Sequence, residues 1–168
     1  MAIIVHHLEE SRSQRVLWLL EELGLAYEVK RYARNPQTRL APPELKELHP
    51  LGKSPLIERD GKIFAESGAI IEYFAETEAG GALAVPQGDA ARAEYLYWLH
   101  FAEGSAMLPL LLKLYVGLLG EAGAPLMQMR VEPEIANHLA FVDGALAGKD
   151  FFAGNRFTAA DIQMSFVL

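Results

Sequence analysis

Residues 49–70, HPLGKSPLIERDGKIFAESGAI, change character three times in one short stretch. His49-Pro50-Leu51-Gly52-Lys53-Ser54-Pro55 is irregular, because its two prolines lack a backbone donor and its glycine is the residue of tight turns. Leu56 to Glu58 and Lys62 to Ala65 are short apolar runs on either side of Arg59-Asp60-Gly61, and Asp-Gly between such runs signals a tight hairpin. Ser67 then stands where a serine caps a helix, here one running to about Phe74. The stretch predicts a loop, two strands and a helix, in that order.

Working back from it, Pro42-Pro43-Glu44-Leu45-Lys46-Glu47-Leu48 predicts a short helix with proline in its first turn. Tyr27 to Tyr32 alternates as a strand does. Val16, Leu19, Leu20 and Leu23 share one face of a helix that begins after Ser11, and Gly24 sits where a left-handed residue stops it. Ala2-Ile3-Ile4-Val5 is a short run suited to a buried strand. His6 and His7, which follow it, read equally well as loop residues or as metal ligands, and no His and carboxylate pair stands at metal-ligand spacing. The order over the N-terminal half is βαβ, α, ββα.

Working forward, residues 76–89 are rich in Gly, Ala and Pro and read as a linker. No strand pattern reappears beyond it. Helices are expected over residues 90–119, with Pro109 as a break or kink, over Val131 to Ala147, and over Thr158 to Leu168. The expected division is therefore an α/β domain over 1–76, a linker over 77–89 and an all-α domain over 90–168.

Composition narrows the function. Of 168 residues, 51% are hydrophobic and 22% charged, the balance of a folded chain and not of a disordered one. Lys plus Arg number 15 against 22 Asp plus Glu, a formal charge of −7, the wrong sign for neutralising phosphates, so no nucleic-acid partner is expected. There is no cysteine, which removes disulfides, Cys-ligated metals and protein-thiol chemistry. Ala2 to Val5 is too short for a signal-peptide core, and the apolar run from Met107 to Leu119 is broken by Pro109, Lys113 and Gly117, so a cytoplasmic location without a membrane partner is the expectation.

The element order, with a proline opening the third strand and a helical partner behind, resembles the glutathione transferases. Ser11-Arg12-Ser13-Gln14-Arg15-Val16-Leu17-Trp18-Leu19-Leu20-Glu21-Glu22-Leu23-Gly24 is similar to the first loop and helix of that family as found in bacteria and fungi. His49 to Leu56 and Phe64-Ala65-Glu66-Ser67-Gly68-Ala69-Ile70 resemble its two glutathione-contacting segments. Thr158-Ala159-Ala160-Asp161 resembles the capping box opening a buried helix of its second domain. The resemblance implies a thioredoxin-like N-terminal domain with an all-α C-terminal domain, and a homodimer. Relatives continue past the point equivalent to Leu168, so the helical domain is expected to be incomplete.

The resemblance also implies a chemistry. A thiol with a reference pKa near 8.5 is only a few per cent ionised at neutral pH, and lowering that value by about two units needs roughly 2.7 kcal/mol of thiolate stabilisation. By resemblance Ser11 is the hydroxyl that stabilises the thiolate of glutathione. Ser13 is the second choice, since either serine suits either task and Ser11 also reads as a simple helix cap. Glu66 and Ser67 match the α-amino and carboxylate groups of the γ-glutamyl end. Pro55 is implied to follow a cis bond that presents the backbone of Ser54 to the cysteinyl unit, with Lys53 meeting the glycyl carboxylate. Trp98, Phe101 and Tyr115 are candidates for the pocket of a hydrophobic electrophile, against the commoner reading of such aromatic residues as core. The expected activity is conjugation in a detoxifying transferase, with glutathione as co-substrate and no metal. A non-catalytic binding relative and a glutathione-dependent peroxidase of organic hydroperoxides are the alternatives.

Overall fold

The computed structural model describes residues 2–168. The chain divides into two compact units, one ending at Ala84 and one beginning at Val85.

The first unit is built on a four-stranded sheet of β1 (Ile3–Leu8), β2 (Tyr27–Tyr32), β3 (Leu56–Arg59) and β4 (Lys62–Ala65) in the order β2-β1-β3-β4. β1 and β2 are parallel, with Val5 beside Val29, and α1 (Ser13–Glu22) makes the crossover between them. β3 runs antiparallel to β1, with Ile57 beside Val5, and β4 antiparallel to β3. The β3–β4 turn holds Asp60 and Gly61 both at positive φ, the geometry that the Asp-Gly pair favours.

Alternation along β1 sends its side chains to two cores. Val5 faces the side that buries Val16, Leu19 and Leu20 of α1 and Ile70, Ile71 and Phe74 of α3 (Ser67–Thr77). Leu8 packs on the other side with Tyr32, Leu56 and Leu45, the last on α2 (Glu44–Leu48). Helices thus cover both faces. β1 is longer than its apolar run suggests and continues through His6 and His7, which are strand residues and not loop residues. Two polar side chains extend the strand because each finds a hydrogen-bond partner inside the fold, Tyr32 for His6 and Ser13 for His7.

The second unit is helical: α4 (Arg92–Phe101), α5 (Met107–Gly117), the short α6 (Ala124–Leu126), α7 (Glu132–Leu146) and α8 (Ala159–Met164). α8 is buried against α4, and Tyr95, Ala102, Ile162 and Met164 form its interior. Pro109 does not break the helix. It occupies the first turn of α5, and the irregularity falls just before it, in a π-helical segment over Ala102–Ala106 that ends with the Met107 N–H bonded to the Ala102 carbonyl. A proline is tolerated in a first turn, and the widened turn ahead of it absorbs the missing donor. A second π-helical segment, Met127–Val131, leads into α7. Among the described residues no helix is long and apolar enough to cross a membrane.

Candidate active site

The C-terminal end of β1 leads through Glu9–Arg12 into α1, and the hydroxyls of this junction form a line. Ser11 Oγ accepts from the Ser13 N–H at 3.3 Å, so its side chain serves one of the orphan donors of the α1 N-terminus. The same oxygen lies 2.8 Å from Ser13 Oγ and 3.4 Å from Ser54 Oγ. Ser13 Oγ is 2.7 Å from His7 Nδ1, and also reaches the Leu8 carbonyl at 3.4 Å. Ser54 Oγ donates to the His6 carbonyl at 2.9 Å and accepts from the Leu8 N–H at 3.3 Å, which ties the loop before β3 to the end of β1.

That loop carries the Ser54–Pro55 peptide in the cis form. Gly52 within it has a φ of +57°, and a Cβ there would lie 2.6 Å from Lys46 Cγ, so both the backbone conformation and the space call for glycine. Pro55 is buried, Ser54 half-buried and Lys53 exposed.

The third segment turns at Glu66, whose φ of 69° and ψ of 114° lie outside the regions open to most residues. Strain of this kind, held by the surrounding fold, points to a site. Ser67 is not the cap expected from the sequence. It is the first residue of α3, Glu66 is the flanking one, and no side chain caps this end. The Ser67 hydroxyl instead accepts from Arg15 Nη1 at 3.2 Å, both residues being buried. The physical reason is the turn at Glu66, which points the serine inward at a guanidinium rather than back along the helix axis. The leading N–H groups of α3 keep the partial positive charge of a helix start, suited to an anion.

His6 lies on the opposite face of β1, bonded through Nδ1 to the Tyr32 hydroxyl at 2.9 Å. Burial pushes its pKa below the ordinary value, Lys30 adds to the shift, and Glu58, 3.9 Å from Nε2, opposes it.

Comparison with known proteins places this geometry. Residues 11–77 match the glutathione S-transferase N-terminal domain, and residues 108–168 the C-terminal domain of the same family. Glutathione S-transferase 3 of Schizosaccharomyces pombe is 37% identical over 98% of this chain and 72% of its own length. The chain belongs to the glutathione S-transferase family. Among solved structures, a glutathione S-transferase of Actinobacillus pleuropneumoniae superposes with a TM-score of 0.85 at 33% identity, over 98% of this chain and 75% of that one. A sphingomonad glutathione S-transferase, solved in complex with glutathione, superposes with a TM-score of 0.76 at 26% identity, over 98% and 80% of the two chains.

In this transferase the first unit therefore has the family's thioredoxin-like fold. Hydrogen bonds bring Ser11, Ser13 and Ser54 together, and Arg15 carries the connection from α1 to Ser67. Trp98, Phe101 and Tyr115 lie in the second unit and differ in setting. Trp98 is 4% exposed, packed on Phe152 with ring centroids 4.6 Å apart. Phe101 lines an open groove with Tyr97, Asn137, His138 and Phe141. Tyr115 is 60% exposed and outside that groove. His7 is the residue that sequence reading leaves out of the N-terminal cluster. Its signal was two-residue alternation past the apolar run, which sets it on the Val5 side of the sheet where α1 begins.

Proposed function

We propose that this transferase binds reduced glutathione on its first unit and holds the thiol as a thiolate with the Ser11 hydroxyl, directing the sulfur at a hydrophobic electrophile. Glu66 takes the α-ammonium, Ser67 and the first amides of α3 take the γ-glutamyl carboxylate, the Ser54 backbone pairs with the cysteinyl unit, and Lys53 meets the glycyl carboxylate. Phe101, with Trp98 behind it, and Tyr115 are the candidates for contact with the electrophile. The enzyme acts as a homodimer in the cytoplasm, in detoxifying conjugation.

The observation that carries this reading is the bridging of three distant segments by side-chain hydrogen bonds, Ser54 to the His6 carbonyl at the end of β1 and Arg15 of α1 to Ser67. Those segments hold the hydroxyl, the loop and the helix start that a thiol tripeptide requires. The glutathione bound to the sphingomonad relative supports the choice of co-substrate.

The test measures glutathione affinity and conjugation of an aromatic halide in wild type, Ser11→Ala and Ser13→Ala. Ser11→Ala is expected to keep affinity within a few-fold while kcat/KM falls about a hundredfold and the bound thiol titrates at higher pH. A larger loss in Ser13→Ala than in Ser11→Ala assigns the role to Ser13. Undiminished conjugation in both variants rejects hydroxyl stabilisation at this junction.

A further inference from the structure

A lone hydroxyl can stabilise a thiolate, but it has nowhere to put the thiol's proton. The line behind Ser11 does. Ser11 Oγ, Ser13 Oγ and His7 Nδ1 are spaced at 2.8 and 2.7 Å, both serines are buried, and the imidazole at the far end is partly exposed. Imidazole both accepts and donates near neutral pH, and each hydroxyl donates one proton while accepting another.

We propose that His7 is the terminal acceptor of the glutathione thiol's proton, reached through Ser11 and Ser13, and thereby a positioning residue that reverses the polarity of the hydroxyl line. The inference rests on the reading that Ser11 faces the sulfur. Before transfer, Ser11 donates to Ser13, Ser13 donates to Nδ1, and Ser11 accepts from the thiol S–H. The S–H bond then breaks with its electron pair left on sulfur. Ser11 and Ser13 each take one proton and pass one on, and an Nδ1–H bond forms, leaving an imidazolium. After transfer the line runs the other way, with Nδ1–H donating to Ser13, Ser13 to Ser11, and Ser11 to the thiolate. One set of atoms thus removes the proton and stabilises the anion. The imidazolium returns to neutral by losing a proton to water.

The charged groups on the elements around His7 are Glu28, Lys30 and Arg31 on β2, Arg31 being its partner in the register, Glu58 and Arg59 on β3, Arg15, Glu21 and Glu22 on α1, and Glu9, Glu10 and Arg12 between β1 and α1. None is altered in the variants used as a test.

The test follows thiolate absorbance of the glutathione complex, and kcat/KM with an aromatic halide, across pH in the full chain. Variants are His7→Asn, His7→Gly, Ser13→Ala and Ser11→Ala. Asparagine sets an amide about where Nδ1 stands, so it holds Ser13 without taking a proton. His7→Asn and Ser13→Ala are expected to move the thiol's titration up by about one unit and to lower kcat/KM near neutral pH about tenfold, with KM for glutathione within about threefold. The rate returns toward wild type at alkaline pH, where the thiol ionises unaided. Added imidazole restores part of the neutral-pH rate of His7→Gly. If His7→Asn folds poorly, Ser13→Ala, which cuts the line one link earlier, gives the same readout. An unshifted titration in His7→Asn and Ser13→Ala, beside a raised one in Ser11→Ala, overturns the relay and leaves the Ser11 reading standing. An unshifted titration in His7→Asn, Ser13→Ala and Ser11→Ala alike overturns both.

Discussion

His6 and His7 are adjacent in sequence and face opposite sides of one strand, and their chemistry diverges for that reason alone. His6 is held neutral by burial, so the folded chain takes its proton only at a pH below the ordinary histidine value of 6.5. As pH falls through that value the unfolded chain binds a proton that the folded chain refuses, and stability drops. The contribution is fully present above about pH 6.5 and is lost as the pH falls toward the folded-state value. His6→Asn keeps a group able to bond the Tyr32 hydroxyl but has no such titration. Its denaturation midpoint is expected to fall less than that of wild type between about pH 7.5 and about 5.5. An equal fall in both proteins would show that His6 is not the source.

Elements differ in how locally they are specified. α8 is set by its own start: Thr158 Oγ1 accepts from the Ala160 N–H at 3.3 Å, and Asp161 returns to the Thr158 N–H at 2.7 Å. Asp161 also accepts from the Phe152 N–H at 2.9 Å, so one carboxylate fixes both the helix start and the chain entering it. Thr158→Ala is expected to lower stability by about 1 kcal/mol and Asp161→Ala by about 2 kcal/mol, read from the urea midpoint at constant slope. α3 is the opposite case. Ser67 reads as a cap in the sequence, yet its hydroxyl bonds to Arg15, a residue 52 positions earlier that no local pattern pairs with it. Pro109 shows the same limit, since a proline marks an irregularity but the neighbouring turns decide where it falls.

At the scale of the molecule, α5 and the turn after it present Leu108, Leu112, Tyr115 and Leu119 to solvent at helical spacing. An apolar stripe of this size favours association, which fits the proposed homodimer. Sedimentation is expected to give twice the chain mass for wild type, and Leu108→Glu with Leu112→Glu is expected to shift the population toward monomer. A monomeric wild type would reject the dimer.

The strands, the hairpin turn and the helical second half were legible in the sequence, because periodicity, Asp-Gly turns and capping residues act over a few neighbouring positions. The length of β1, the inward turn of Ser67 and the line from His7 to Ser54 were decided only by the tertiary structure. Each depends on a polar side chain meeting a partner brought close by chain closure, and the burial that makes such a hydrogen bond worth forming exists only once the sheet and helices have packed.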